Sequence, residues 1–134
     1  MTSRDDIERT LRDAYAARQR GDLDALGQIF TPHARFQMAG SNASPVAARA
    51  DGADQYRPLL AGMIKTFELL DYTIVRMLID GDTAAVQWHA KMRSSVTGQT
   101  VETDLFDLIE MEDGQIASFL EFCDTALAAR LMQQ

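Results

Sequence analysis

A chain of 134 residues is one domain by length, long enough to bury roughly two-thirds of the surface that its unfolded form exposes. Its 46% hydrophobic and 25% charged content is ordinary for a globular protein. The net charge of -7 argues against a generic phosphate-binding face, because sequence-independent nucleic-acid affinity rests on Lys and Arg neutralising phosphates.

The single cysteine, Cys123, leaves no internal disulfide framework and no cysteine-rich metal site. From Thr2 to Arg12 the chain is charged, unlike a secretory signal, and no apolar run nears the roughly 20 residues that span a bilayer. The expectation is a single cytoplasmic domain over residues 1–134, with neither nucleic acid nor membrane as partner.

In chain order, Ile7, Leu11, Ala14, Tyr15 and Arg18 recur at helical spacing, with Gly21 as a stop and Asp22 as the next N-cap. The second helix is expected to bury Leu23, Leu26, Ile29 and Phe30 and to end before Pro32. Residues 34–39 alternate as a short strand with Phe36 and Met38 on one face. Residues 40–52 are small and polar around Pro45 and read as a flexible loop with the character of a lid. Asp54 is placed to cap a third helix carrying Leu59, Leu60, Met63, Ile64 and Phe67, with Pro58 tolerated in its first turn. After Leu69 the pattern becomes strands, punctuated by Asp80-Gly81 and Asp113-Gly114. Three helices followed by antiparallel strands make an α+β arrangement, a curved sheet wrapping the helices around one internal pocket.

Strand parity sorts the polar residues. Between Val101 and Met111 the odd positions are apolar apart from Thr103 and Asp107, while Glu102, Asp104 and Glu110 fall on the even face. A period of two therefore buries Asp107. A buried carboxylate needs a proton, a hydrogen bond or a charge partner. Asp107 is either an acid in the pocket or a partner for Arg18 or Tyr15. If Glu112-Asp113-Gly114 forms a three-residue turn, Asp107 faces Phe119 and Leu105 faces Glu121, which puts Glu121 and Cys123 on the pocket side. A two-residue turn would flip the second strand and send Glu121 to solvent. In the strand from Ala84 to Val96, Val86, Trp88, Ala90 and Met92 fall inward, and His89, Lys91 and Arg93 outward. Neither His89 nor His33 has a second ligand at metal-like spacing, and no Gly-rich phosphate loop is present. Cys123 reads as a small core residue.

The stretches YAARQRGDLDALGQIFTPHARF and DLFDLIEMEDGQIASFLEFCD resemble the opening and the closing hairpin of the SnoaL-like, nuclear transport factor 2-like superfamily. Ketosteroid isomerase and limonene epoxide hydrolase are members. The resemblance spans nearly the whole chain and implies a cone-shaped fold around a pocket. It puts Asp107 at the place of the isomerase's hydrogen-bond-donating Asp, an acid that an apolar site keeps neutral. The isomerase's basic Asp corresponds to Met38 and its oxyanion Tyr to Ala14, one residue before Tyr15. Glu121 corresponds to one pocket Asp of the epoxide hydrolase. That enzyme's Arg and second Asp correspond to Trp88 and Ala90, and its water-holding Tyr and Asn to Phe36 and Met38. SnoaL cyclases use a pocket carboxylate as general acid and base, which Asp107 or Glu121 can supply.

The combined expectation is a cofactor-independent isomerase, cyclase or lyase acting on an apolar carbonyl compound, with no metal. Asp107 and Glu121 would be catalytic, and Tyr15, Phe36, Met38, Trp88, Ile109 and Phe119 would hold the substrate. The alternative is a non-catalytic ligand-binding or dimeric module. The outer face, with Phe106 and Leu108 beside the His89 row, suggests a homodimer.

Overall fold

The computed structural model describes residues 2–133. Its first helix, α1 (Arg4–Arg20), opens on Ser3, whose side chain accepts from the Asp6 N–H, and carries Asp5 and Asp6 at the positive end of its dipole. It closes on Gly21 in the left-handed region at φ 69°, where the Asp22 N–H reaches back to the Ala17 carbonyl. Helix α2 (Leu23–Ile29) is capped by Asp22. Strand β1 (Phe30–Met38), strand β2 (Ala48–Asp51), helix α3 (Ala53–Thr66) and strand β3 (Phe67–Asp80) follow. Then come β4 (Thr83–Ser94), β5 (Thr100–Glu112), β6 (Gln115–Phe122) and helix α4 (Thr125–Leu131).

The six strands form one curved, unclosed sheet in the order β2-β1-β6-β5-β4-β3. Only the β1–β6 pair is parallel. Helices α1, α2 and α3 cover its inner face. The core between them holds Ile7, Leu11, Tyr15, Phe36, Val86, Trp88, Ile109 and Ile116, all essentially without exposure. Phe36 and Phe119 stack at 5.3 Å between ring centroids, and Phe30 packs on Tyr56 at 5.3 Å. The α+β class and the strand parities of β4 and β5 are as the periodicity predicts.

Several expectations are corrected. A fourth helix, α4, follows the strands, capped by Asp124, whose side chain accepts from the Leu127 N–H. Phe30 opens β1 instead of closing α2, and the strand runs through Pro32 because the β1–β6 pairing breaks register between Phe30 and Arg35, where no ladder N–H is needed. Residues 48–51 are an edge strand inside the expected loop. The cap of α3 is Gly52, at φ 81°, with Asp54 inside the helix and Gln55 turning back to accept the Asp51 N–H. Phe67 begins β3, and Leu23 is exposed.

The β5–β6 turn settles the alternative left open by the sequence. Asp113 and Gly114 both have positive φ, 51° and 80°, and Glu112 pairs with Gln115, so the loop has two residues. Glu121 nevertheless faces inward. The pairing shifts by one between Met111↔Ile116 and Glu110↔Ser118, leaving Ala117 as a β-bulge that restores the parity the short turn reverses. Asp107 therefore stands directly opposite Glu121, and Ile109 opposite Phe119.

Candidate functional site

Tyr15 and Arg18 lie three residues apart on α1, on the face turned to the sheet. Arg18 sits in the last turn, where the helix dipole favours a cation. Its guanidinium meets Glu121 in a two-pronged pair, Nη1 to Oε2 at 2.6 Å and Nη2 to Oε1 at 3.0 Å. The Glu121 side chain is 1% exposed and that of Arg18 14%. The flat guanidinium also lies 5.1 Å from the centroid of the Trp88 ring. Behind this pair, the Tyr15 hydroxyl donates to Asp107 Oδ2 at 2.5 Å, and Asp107 has no solvent exposure.

Burial is the main cause that pushes the Asp107 carboxyl well above the usual range; the neighbouring Glu121 charge adds to it. The Tyr15 hydroxyl is raised by burial and then by Asp107, so it stays a donor. Burial works against the Arg18 charge, but Glu121 outweighs it and holds the guanidinium protonated. The Cys123 thiol is pushed up to about 11, by burial first and then by Glu121, which argues against a nucleophile.

Next to the ion pair opens a cavity of about 310 Å³. Its walls are mostly apolar: Met38 from β1, residues 45–48 before and within β2, Leu59 and Met63 from α3, Met92 and Leu105 from the sheet, and Leu127 and Leu131 from α4. Arg18, Glu121, Thr66, Thr103 and Asp124 supply its polar groups. Turns tie down the segment before β2, with the Ser44 N–H on the Ser41 carbonyl and the Ser44 hydroxyl accepting from Val46 N–H. Helix α4 is held by Ser94, whose buried hydroxyl donates to the Leu131 carbonyl at 2.5 Å.

Of the residues expected at a ligand, Glu121 and Met38 line this cavity. Asp107, Trp88 and Ile109 do not: they sit deeper on the sheet, roofed by α1. Tyr15, Phe36 and Phe119 surround a separate, much smaller gap of about 20 Å³ that also touches Arg18. Arg18 thus stands between the two spaces. The cavity's α4 wall escaped sequence reading, although the Asp124 cap before Leu127 and Leu131 was a usable signal. Arg18 as partner of Glu121 escaped it too, because a helix residue's cross-domain contact leaves no trace in local periodicity. On the outer face, His89 Nδ1 is 2.7 Å from Asp104 and Nε2 is 3.2 Å from Glu102. Among the described residues no group of three His, Cys, Asp or Glu side chains is arranged to hold a metal.

The fold recurs in solved structures. A protein provisionally assigned as a SnoaL-like polyketide cyclase, from Jannaschia sp. CCS1, superposes with a TM-score of 0.82 at 18% identity, over 98% of this chain and 96% of that one. A nuclear transport factor 2-like protein from Burkholderia xenovorans LB400 gives 0.79 at 21% identity, over 99% and 100%. An epoxide hydrolase from M. tuberculosis, of the limonene epoxide hydrolase-like kind, gives 0.74 at 16% identity, over 95% and 89%. At these identities the likeness is one of fold. No curated protein matches the chain. The SnoaL-like domain family matches residues 11–119, and the chain belongs to that family.

Proposed function

We propose that this protein binds a largely apolar, uncharged small molecule bearing one carbonyl-type oxygen, and catalyses a cofactor-independent proton transfer beside that oxygen. Isomerisation, cyclisation and lyase chemistry all begin with such a step. The observation that carries the reading is the Arg18–Glu121 pair at the polar end of an otherwise apolar cavity. Two of the five guanidinium N–H groups are spent on Glu121, which leaves others for a ligand oxygen. Glu121 is the base, and Arg18 stabilises the oxygen's developing charge. Met38, Leu59, Met63, Met92 and Leu127 cradle the carbon skeleton. A carboxylate ligand is disfavoured, since it would compete with Glu121 for Arg18 in a desolvated place.

Soaking the protein with small ketones in D2O and following α-carbon exchange by NMR tests this directly. Uncharged ketones should raise the melting temperature and exchange their α-protons; matched carboxylates should do neither, and Glu121→Gln should lose exchange while keeping the thermal shift. One feature favours a second reading, a binding module without catalysis: Arg18 occupies both oxygens of Glu121, which weakens it as a base. Thermal stabilisation by ketones with no exchange in the wild type would establish that alternative.

The outer face suits a second copy of the chain. Phe106, Leu108 and Phe122, between 39% and 47% exposed, adjoin one another across β5 and β6. Light scattering at micromolar concentration should give twice 14.9 kDa, and a monomer would count against a dimer.

A further inference from the structure

The buried network holds more carboxylates than cations. Asp107 and Glu121 stand opposite each other on β5 and β6, both almost without solvent exposure, with Glu121 at the wall of the cavity. Arg18, from α1, turns both of its prongs to Glu121. Across β4 Asp107 meets the apolar Val86. Burial and the Glu121 charge push its carboxyl up, against the smaller downward pull of the Tyr15 hydrogen bond and the Arg18 charge, both from α1. Cys123, further along β6, is neutral. Two adjacent carboxylates in a dry site cannot both be charged against one cation. The oxygens say where the proton goes. Asp107 Oδ2 accepts from Tyr15, whereas Oδ1 is buried and meets no donor. As a carboxylate oxygen it would be a stranded acceptor; as a hydroxyl it becomes a donor, and Glu121 stands directly opposite across the β5–β6 ladder.

We propose that Asp107 and Glu121 share one proton, carried on Asp107 Oδ1 and donated to Glu121, so that Asp107 is a positioning residue for the cavity's carboxylate. Tyr15 fixes Asp107, and Asp107 and Arg18 together fix Glu121, which carries the negative charge and presents it in one orientation. The unit Arg18, Glu121, Asp107 and Tyr15 is then electrically neutral as a whole. The role as a base is taken from the proposed function, but the shared proton does not depend on it.

The test needs no ligand. Urea unfolding of the wild type and of Asp107→Asn is compared from about pH 4 to about pH 8. Folded Asp107 keeps a proton that the unfolded chain releases at an ordinary carboxylate pKa. Its contribution to stability is therefore full below that ordinary value and is lost as pH rises through the raised folded pKa. Within that window the wild-type folding constant should fall, relative to the Asn variant, by up to about tenfold per pH unit. A difference that is flat or rises with pH overturns the proposal, because an Asp107 ionised in the folded state would give no falling slope. Should the Asn variant not fold, infrared spectroscopy of the wild type decides. A protonated-carboxyl C=O band at about pH 7 is expected, and its absence refutes the shared proton. Neither measurement involves ketone exchange, so failure here and failure of the catalytic reading are told apart.

Discussion

The sheet carries acids on both faces, and each face sets a cation beside a pair of them. Outside, His89 lies between Asp104 and Glu102; inside, Arg18 serves Glu121 while Asp107 stands beside it. The residue types are nearly the same, but the settings are not. The outer side chains are 40%, 76% and 65% exposed for His89, Asp104 and Glu102, whereas the inner ones are almost closed to water. In water the group that responds is the cation: hydrogen bonds that the imidazole donates to Asp104 first and Glu102 second draw its pKa upward. In the dry interior the cation is permanent, and an acid must give up its charge instead. The comparison teaches that charge pattern along a strand indicates partners, while burial decides which partner changes protonation. A site that can handle protons comes from the second case.

The largest test of this contrast is to remove the inner cation. Arg18→Met leaves Glu121 charged and buried without its cation, and should cost on the order of 3–5 kcal/mol in urea unfolding. Adding Glu121→Leu in the same chain removes the stranded charge and should restore most of that loss, because a well-packed apolar pair often equals a buried ion pair. The cycle isolates the coupling between the two side chains. Near-additive effects of the two changes would mean that the pair is solvated, and the contrast between the faces would collapse.

Much of this contrast could be read before any coordinates. Asp107 betrayed itself as the acidic exception on an apolar stripe, and His89 fell outward, because a period of two is enforced by the pleat at every step of a strand. Glu121 faces inward because two departures from the expected hairpin cancel. The assumed three-residue turn is a two-residue one, and the β-bulge at Ala117 restores the side that the turn takes away. A bulge between Ile116 and Ser118 leaves no signature in residue type, so register beyond a turn is not fixed by turn chemistry alone. Trp88, Ile109 and Phe119 show the other limit. Parity assigns them to the inner face, and they are there, but it does not say which inner residues meet a cavity and which meet α1. That division depends on how far α1, α3 and α4 reach along the strands. Arg18 carries the same lesson: its helical position pointed it inward, and only the packing of α1 on the sheet brought it to Glu121.

The smallest expected effect belongs to the outer face. Because the acids raise the His89 pKa, the group stabilises the fold fully below the ordinary imidazole pKa of about 6.5, and that stabilisation is lost as pH rises through the higher folded value. Its sign therefore matches that of Asp107, yet its salt response should not. With side chains this exposed, the His89–Asp104–Glu102 attraction is screened by ions, since the Debye length shrinks from about 10 Å at 0.1 M salt to about 3 Å at 1 M. NMR titration of the His89 ring should give a raised pKa at low ionic strength that relaxes toward the ordinary value in 1 M salt. Over the same change the Asp107 linkage slope should hardly move, because no counter-ion reaches a carboxyl with no solvent exposure. If dimer formation seals the outer face, His89 will resist salt as Asp107 does. Repeating the titration at protein concentrations on either side of the association midpoint separates that case from the exposed one.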